Sequence, residues 1–438
     1  MSIVKELHLF QIITLGIFLV VGLAGVAFFA TNKSAGTKTG YEPVIWGTIP
    51  KSVIDESMTY FREQGTNPRF SYVEYSEEGF EQTLLVAIAN GTGPDAIIFP
   101  SNMFYTQASR LATIPNESVS AKNFAETYID AGQTFAVQGG IKGFPLVTDP
   151  MVMYWNRDIF SSVGLLNPPK TWAEVGQMTP KIVRKTDNGV ITRAFVALGE
   201  YNNVDYAKRI LFTLMSQVGV KLTYYSPQFG GYTSGLINSA DGGEEKSRSV
   251  LTYYTEFANP VKASYTWNRS LINSREAFLS GDLAVYFGPG SELEYIRSRN
   301  PNLNFRVAPM PQENQSAKSV HGKTYAVGAL VTSKDVNSTI TELVTFFTPT
   351  QTITALSTAL DMAPARRDVL ATAKEGQSDA NIGAIYESAV YAKDWIDPNP
   401  VSTSAIFKTM IESITSGQQT LYESLQDASN RLSALFQS

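Results

Sequence analysis

The residues best suited to chemistry lie at the ends of predicted strands. Asp149 ends a stiff extended run, Ile141–Val147, that contains Pro145. An ionised carboxylate there can accept two hydroxyl hydrogen bonds, which suits a polyol. Ser101 and Asn102 follow a short apolar strand and can also bond hydroxyls, and Trp46 and Thr48 follow another. Gly288-Pro289-Gly290-Ser291 reads as a strand end opening a helix, where free N–H groups face a ligand. Trp267, Tyr286 and Trp395 are further candidates, as flat aromatic faces on which a ligand can stack. Trp155 and Trp172 read as packing residues, and Asp95 as a turn or helix-entry cap.

Composition removes other chemistries. The 438 residues include no cysteine and only two histidines, His8 and His321. Disulfides, thiolate metal sites and cysteine nucleophiles are therefore excluded, and His-based metal or triad schemes have little to build on. A net charge of −5 argues against nucleic acid as a partner. There is no P-loop, H-E-x-x-H, EF-hand or G-x-S-x-G motif. No cofactor, metal or catalytic group is expected. A glycosidase needs two carboxylates about 5–10 Å apart, which spacing along a chain does not display.

The elements that hold these residues read as α/β. Val44–Trp46, a helix to Gln64, Phe70–Tyr75, a helix over Glu77–Asn90 and Ala96–Phe99 alternate as in a parallel sheet with crossover helices. Ligands sit beyond the carboxyl ends of such strands. Asp149-Pro150 reads as a turn, Val152–Trp155 as a buried strand, and Asn156 as a helix cap. Thr171 and Glu174 form a capping box. Ala194–Leu198 and Leu283–Phe287 read as strands, Phe305–Pro309 as an extended crossing, and Lys323–Thr332 as a strand pair or hairpin. Val220–Gly243 has no clear periodicity. Leu421, Leu425, Ala428, Leu432 and Leu435 make one apolar helical stripe.

Leu9–Ala30 is nearly all apolar. Twenty-two residues at ~1.5 Å rise give ~33 Å, enough for a ~30 Å bilayer core. Its length and poor cleavage site favour an uncleaved signal anchor. Thr31–Tyr41 reads as a flexible tether.

Several motifs resemble one family in register from about Val44 to the C-terminus: the extracellular solute-binding proteins of ABC importers, carbohydrate branch. They are Gly93-Pro94-Asp95-Ala96-Ile97-Ile98-Phe99, Gly143-Phe144-Pro145 with Asp149, Trp155-Asn156-Arg157-Asp158, Pro168-Pro169-Lys170-Thr171-Trp172-Ala173-Glu174, Phe278 with Gly281 and Ala284, Pro364 to Val369, and Ser416-Gly417-Gln418-Gln419-Thr420. The resemblance implies an α/β, two-lobed periplasmic-binding-protein type II fold, to which the apolar segment adds an N-terminal transmembrane helix. It places residues 1–8 in the cytoplasm, 9–30 in the membrane as a single pass, 31–43 in a tether, 44–147 with 310–350 in lobe 1, and 148–309 with 351–438 in lobe 2. The expected hinge runs through Gly143–Pro150, Arg306–Pro309 and Thr348–Gln351.

The resemblance also implies ligand contacts at Asp149, at Glu200 with Tyr201 and Asn202, and at Arg366 and Lys408. The partners it implies are a small solute, expected to be carbohydrate, and ABC permease subunits. The charged residues and the stacking Trp of the maltose-specific members are missing at Phe99–Asn102 and Gly290. A non-sugar solute such as a peptide, polyamine or iron complex therefore stays open. An extracytoplasmic carbohydrate-processing enzyme is a further alternative, resting only on acidic and aromatic residues.

Overall fold

The computed structural model describes residues 41–437 apart from Gln64, Thr66, Asn67, Phe229, Ser239 and Asp241. The expected anchor and most of the tether lie outside the described residues. Among the described residues no helix is long and apolar enough to cross a membrane.

The central element is the strand Phe144–Asn156, all thirteen residues of which are buried. It belongs to two sheets at once. Residues 144–150 pair antiparallel with Val320–Ala329, and residues 151–156 pair with Leu283–Pro289 on one edge and Phe305–Pro309 on the other. The expected turn at Asp149-Pro150 is absent; the chain runs straight through it. Its prolines sit where a missing N–H does least harm. Pro145 lies at a register shift opposite Ala326, and Pro150 faces Gly322.

Two separate cores flank this strand. The first gathers Ile45, Phe80, Ile97, Phe99, Phe144, Val327, Phe346 and Leu356. The second gathers Met153, Tyr154, Phe195, Leu211, Tyr254, Trp267, Val285, Phe407 and Leu432. In the first, Val44–Gly47 lies parallel between Ser71–Glu74 and Ala96–Pro100, as the alternation predicts. In the second, Leu283–Pro289 pairs parallel with Ile191–Val196. The expected hairpin at Lys323–Thr332 is instead one long strand, Val320–Ala329. It is shared by both cores, since Val320 lies in the second and Tyr325 in the first.

Two of the chain's three lobe changes fall at places other than those expected. Phe305–Pro309 stays within the second core; the return crossing is Val320–Ala329. Thr350–Ala359, expected in lobe 2, buries Ile353 and Leu356 in the first core. Residues 310–320, expected in lobe 1, begin and end with Met310 and Val320 in the second core. The third crossing therefore falls near Ala363–Leu370, where Ala363 and Pro364 pair with Thr148 and Val147. Three strands meet at this seam, and the buried hydroxyls of Thr148 and Thr324 bond each other at 2.9 Å.

Local signals are realised where predicted. Asn156 Oδ1 accepts from the N–H groups of Asp158 and Ile159. Glu174 N–H donates to Thr171 Oγ1 at 3.2 Å. Leu425, Ala428 and Leu432 of the last helix, Leu421–Ala434, are buried.

Candidate functional site

A polar network lies on the seam. Arg209 comes from the helix Ala207–Gln217. Its Nε donates to His321 Nδ1 at 2.9 Å, and one terminal nitrogen donates to the Asp149 carbonyl at 2.6 Å. The other terminal nitrogen stands 3.9 Å from Asp149 Oδ2. Because Nδ1 accepts, the neutral imidazole carries its proton on Nε2, 3.4 Å from Asp394 Oδ1. Burial, then the Arg209 charge, hold the His321 pKa below its ordinary value.

Asp394 links the lobes. Its Oδ2 accepts from the Ser101 hydroxyl of lobe 1, and Ser101 Oγ accepts from Thr324 N–H at 3.2 Å. Beside it, Lys208 Nζ donates to Asp397 (2.9 Å), the Pro400 carbonyl (3.1 Å) and Thr403 Oγ1 (3.0 Å), and lies 6.0 Å from the Trp395 ring centre. Three acceptors use all three ammonium protons, so Lys208 sets the position of the 395–403 segment.

Asp149 is buried and occupied. Ser291 N–H donates to Oδ1 (3.1 Å) and Ser291 Oγ to Oδ2 (2.9 Å). The carboxylate thus ties the crossing strand to the turn that leads into the helix Leu293–Arg299. Next to it, Glu292 accepts from Tyr206, Tyr286 and Arg275 at 2.8, 2.6 and 2.9 Å.

The other expected site residues divide. Trp46 lies against Tyr75 with ring centres 4.5 Å apart, and Thr48 is half-buried after the same strand. Asn102 follows Ser101, and its buried Oδ1 has no hydrogen-bond partner among the described residues. Glu200 is buried with Arg269 Nε 3.4 Å away, and burial raises its pKa. The Tyr201 hydroxyl bonds Ser404 at 2.8 Å, and burial pushes its pKa up to about 12. Asn202 is exposed, and Lys408 is half-buried on the helix Pro400–Thr415.

Five expected contacts need correction. Trp267 and Tyr286 are each only 1% exposed inside the second core, so neither offers a face to a ligand. Gly288 and Gly290 are closed off by packing. A Cβ on Gly290 would meet Ile385 Cγ2 at 2.7 Å, and one on Gly288 would meet the Tyr286 ring at 2.6 Å. Arg366 is also committed elsewhere: it grips Asp368 with two nitrogens at 3.0 and 2.6 Å and donates to the Thr348 carbonyl. That leaves it fixing a helix start and a chain turn.

Sequence reasoning missed His321, Arg209, Lys208, Asp394 and Asp397. The available signals were the adjacent Lys208-Arg209 in a helix after a strand-end loop, and the acidic-aromatic run Asp394-Trp395-Ile396-Asp397.

Two α/β cores on three crossings, with a polar seam between them, define a two-lobed solute-binding protein. The chain belongs to the bacterial extracellular solute-binding protein family, whose model matches residues 56–384. Binding proteins of Brucella abortus and Brucella suis are 22% identical over 255 residues, which is 58% of this chain and 58% of theirs. Among solved structures, the cyclic α-maltosyl-1,6-maltose binding protein of Arthrobacter globiformis matches with a TM-score of 0.71 at 13% identity, over 90% of this chain and 98% of that one. An ABC substrate-binding protein of Listeria monocytogenes in complex with cycloalternan matches at 0.67 and 14%, over 89% and 97%. An ABC transporter solute-binding protein of Thermotoga lettingae bound with α-D-tagatose matches at 0.64 and 18%, over 90% and 99%. The family and these neighbours are binding proteins.

Proposed function

We propose that this chain is the extracytoplasmic substrate-binding protein of an ABC importer, and that it takes a sugar or oligosaccharide between its lobes by hinge closure and passes it to permease subunits. The carrying observation is the seam itself. Ser101 of lobe 1 bonds Asp394 of lobe 2 beside the Thr148–Thr324 hinge, so opening the lobes parts hydroxyl and carboxylate groups that suit a polyol. Asn102 adds a buried amide oxygen in need of a donor. The sugars bound by the structural neighbours agree with this reading. Residues 9–30 would hold the folded part at the outer face of the membrane. Membrane fractionation of the full chain tests that point, and release of a shortened soluble form would count against the anchor.

Calorimetry against mono- and oligosaccharides tests the ligand class. Saturating binding supports the reading, and no heat from any saccharide removes it. The charged seam, with Arg209, Lys208 and Asp394, favours as a second reading a charged non-sugar solute. Peptides, polyamines and iron complexes therefore belong in the same panel. A thermal-shift screen is a cheap first pass, since ligand at 100 times its dissociation constant adds about 2.7 kcal/mol.

A further inference from the structure

The central strand ends, away from the seam, at a hollow of about 440 Å³. Arg157 directly follows that strand, roughly 23 Å from Pro150 at the usual rise, so the hollow is separate from the gap between the lobes. Arg306 comes from the strand Phe305–Pro309 and pairs opposite Trp155, two residues before Arg157. Arg297 comes from the helix Leu293–Arg299, and Asn381 from the helix Ala380–Val390. Asn300 and Asn304 complete the polar rim.

Most polar groups around this hollow are spent on one another. Arg297 donates to Glu294 at 2.6 Å and to Asp379 at 2.7 Å. Asn304 Nδ2 donates to Asp158 at 2.7 Å, and Asn300 Nδ2 to the Leu279 carbonyl at 2.8 Å. The nearby carboxylates Asp158, Glu294 and Asp379 therefore already have donors. Two kinds of donor are left over. The exposed guanidiniums of Arg157 and Arg306 have no hydrogen bond or ion pair among the described residues. Asn381 is only 6% exposed. Its Oδ1 accepts from Val307 N–H at 2.9 Å, which fixes the orientation of the amide, and its Nδ2 has no partner among the described residues. The hollow thus offers a ligand two guanidinium forks and one buried amide NH₂. The two cations repel each other with no anion between them, and a bound anion removes that cost.

We propose that Arg157, Arg306 and Asn381 form a binding site for a phosphate group at the far end of lobe 2, distinct from the solute gap. Donors that converge from one strand and two helices suit a tetrahedral oxyanion better than a planar carboxylate. The volume leaves room for the group that carries the phosphate, whether a soluble ester or a lipid headgroup. The test is calorimetry on the full chain in neutral detergent at physiological salt, which screens diffuse attraction. The titrants are inorganic phosphate, glycerol 1-phosphate, glycerophosphoglycerol and acetate. Wild type is expected to bind the phosphates and not acetate. Tighter binding of glycerol 1-phosphate supports the site with a soluble source, and tighter binding of glycerophosphoglycerol supports it with a lipid headgroup. Arg157→Gln and Arg306→Gln should each weaken phosphate binding roughly tenfold, with melting curves to verify folding. Arg306→Lys, which keeps the charge but not the fork, should recover only part of the loss. Arg299→Gln, on the neighbouring helix and outside the hollow, should change nothing. No phosphate binding by wild type would overturn the site. So would acetate binding as tight as phosphate, or an equal loss in Arg299→Gln, which would reduce the effect to surface charge.

Discussion

Arg209 Nε donates to His321 Nδ1 at 2.9 Å, so a permanently charged guanidinium is coordinated by a histidine that must stay neutral to accept it. Protonating His321 would remove the acceptor and place a second cation beside Arg209 and near Lys208. Asp394 on the other side of the ring offsets only part of this.

The pH dependence follows with a definite sign. The folded His321 pKa is depressed, so between it and the unfolded value of about 6.5 the unfolded chain binds the extra proton. The stability contribution is therefore complete above about pH 6.5 and is lost as pH falls through the folded pKa. Denaturant melts of wild type should weaken from pH 7 to 5, and His321→Gln should flatten that slope. An equal slope in the variant would show that another group titrates.

Asp149 should matter more for stability than the ligand contact expected from the sequence would suggest. Asp149→Ala removes the acceptor for two Ser291 hydrogen bonds and leaves the half-buried Arg209 without its facing carboxylate. The expected loss is about 3–5 kcal/mol by denaturant unfolding. Asp149→Asn, which keeps one acceptor oxygen, should lose less.

The seam between the two cores can be probed at its paired hydroxyls. Thr148→Val strands the buried Thr324 hydroxyl and should cost about 1–3 kcal/mol. Replacing both threonines by valine should recover most of that, because no polar group is left alone. A double variant as weak as the sum of the singles would contradict the pairing.

Gly199 precedes Glu200 with φ +97°, and a Cβ there would come within 2.6 Å of Ala258 N. Gly199→Ala should lower stability by about 3 kcal/mol, combining positive-φ strain with overpacking. The melting temperature measures it directly.

Asp95 shows a local acid with a structural task. Burial pushes its pKa up, but hydrogen bonds from Tyr41, Val44 N–H, Lys334 N–H and Ser333 hold it below its ordinary value. Its stabilising contribution is present above the unfolded value of about 3.9 and is lost as pH falls through the folded one. Asp95→Asn should therefore lower stability at pH 7 and narrow the gap from wild type below about pH 3.

The sequence by itself determined the elements whose causes are local. The capping box at Thr171 and Glu174, the Asn156 cap, the apolar stripe of the last helix and the strand–helix alternation of the first lobe need only neighbours in the chain. Polar residues at strand ends, such as Ser101 and Asn102, were legible for the same reason. Only the tertiary structure decided which side of a residue meets the gap. Trp267 and Tyr286 look identical in sequence whether they face a ligand or a core. Asp149-Pro150 reads as a turn until Gly322 pairs opposite it. His321, Arg209 and Asp394 are separated by up to 185 residues yet meet through side-chain bonds of 2.9 and 3.4 Å. Their meeting depends on where the chain recrosses between lobes, which long-range strand pairing sets and no local pattern encodes.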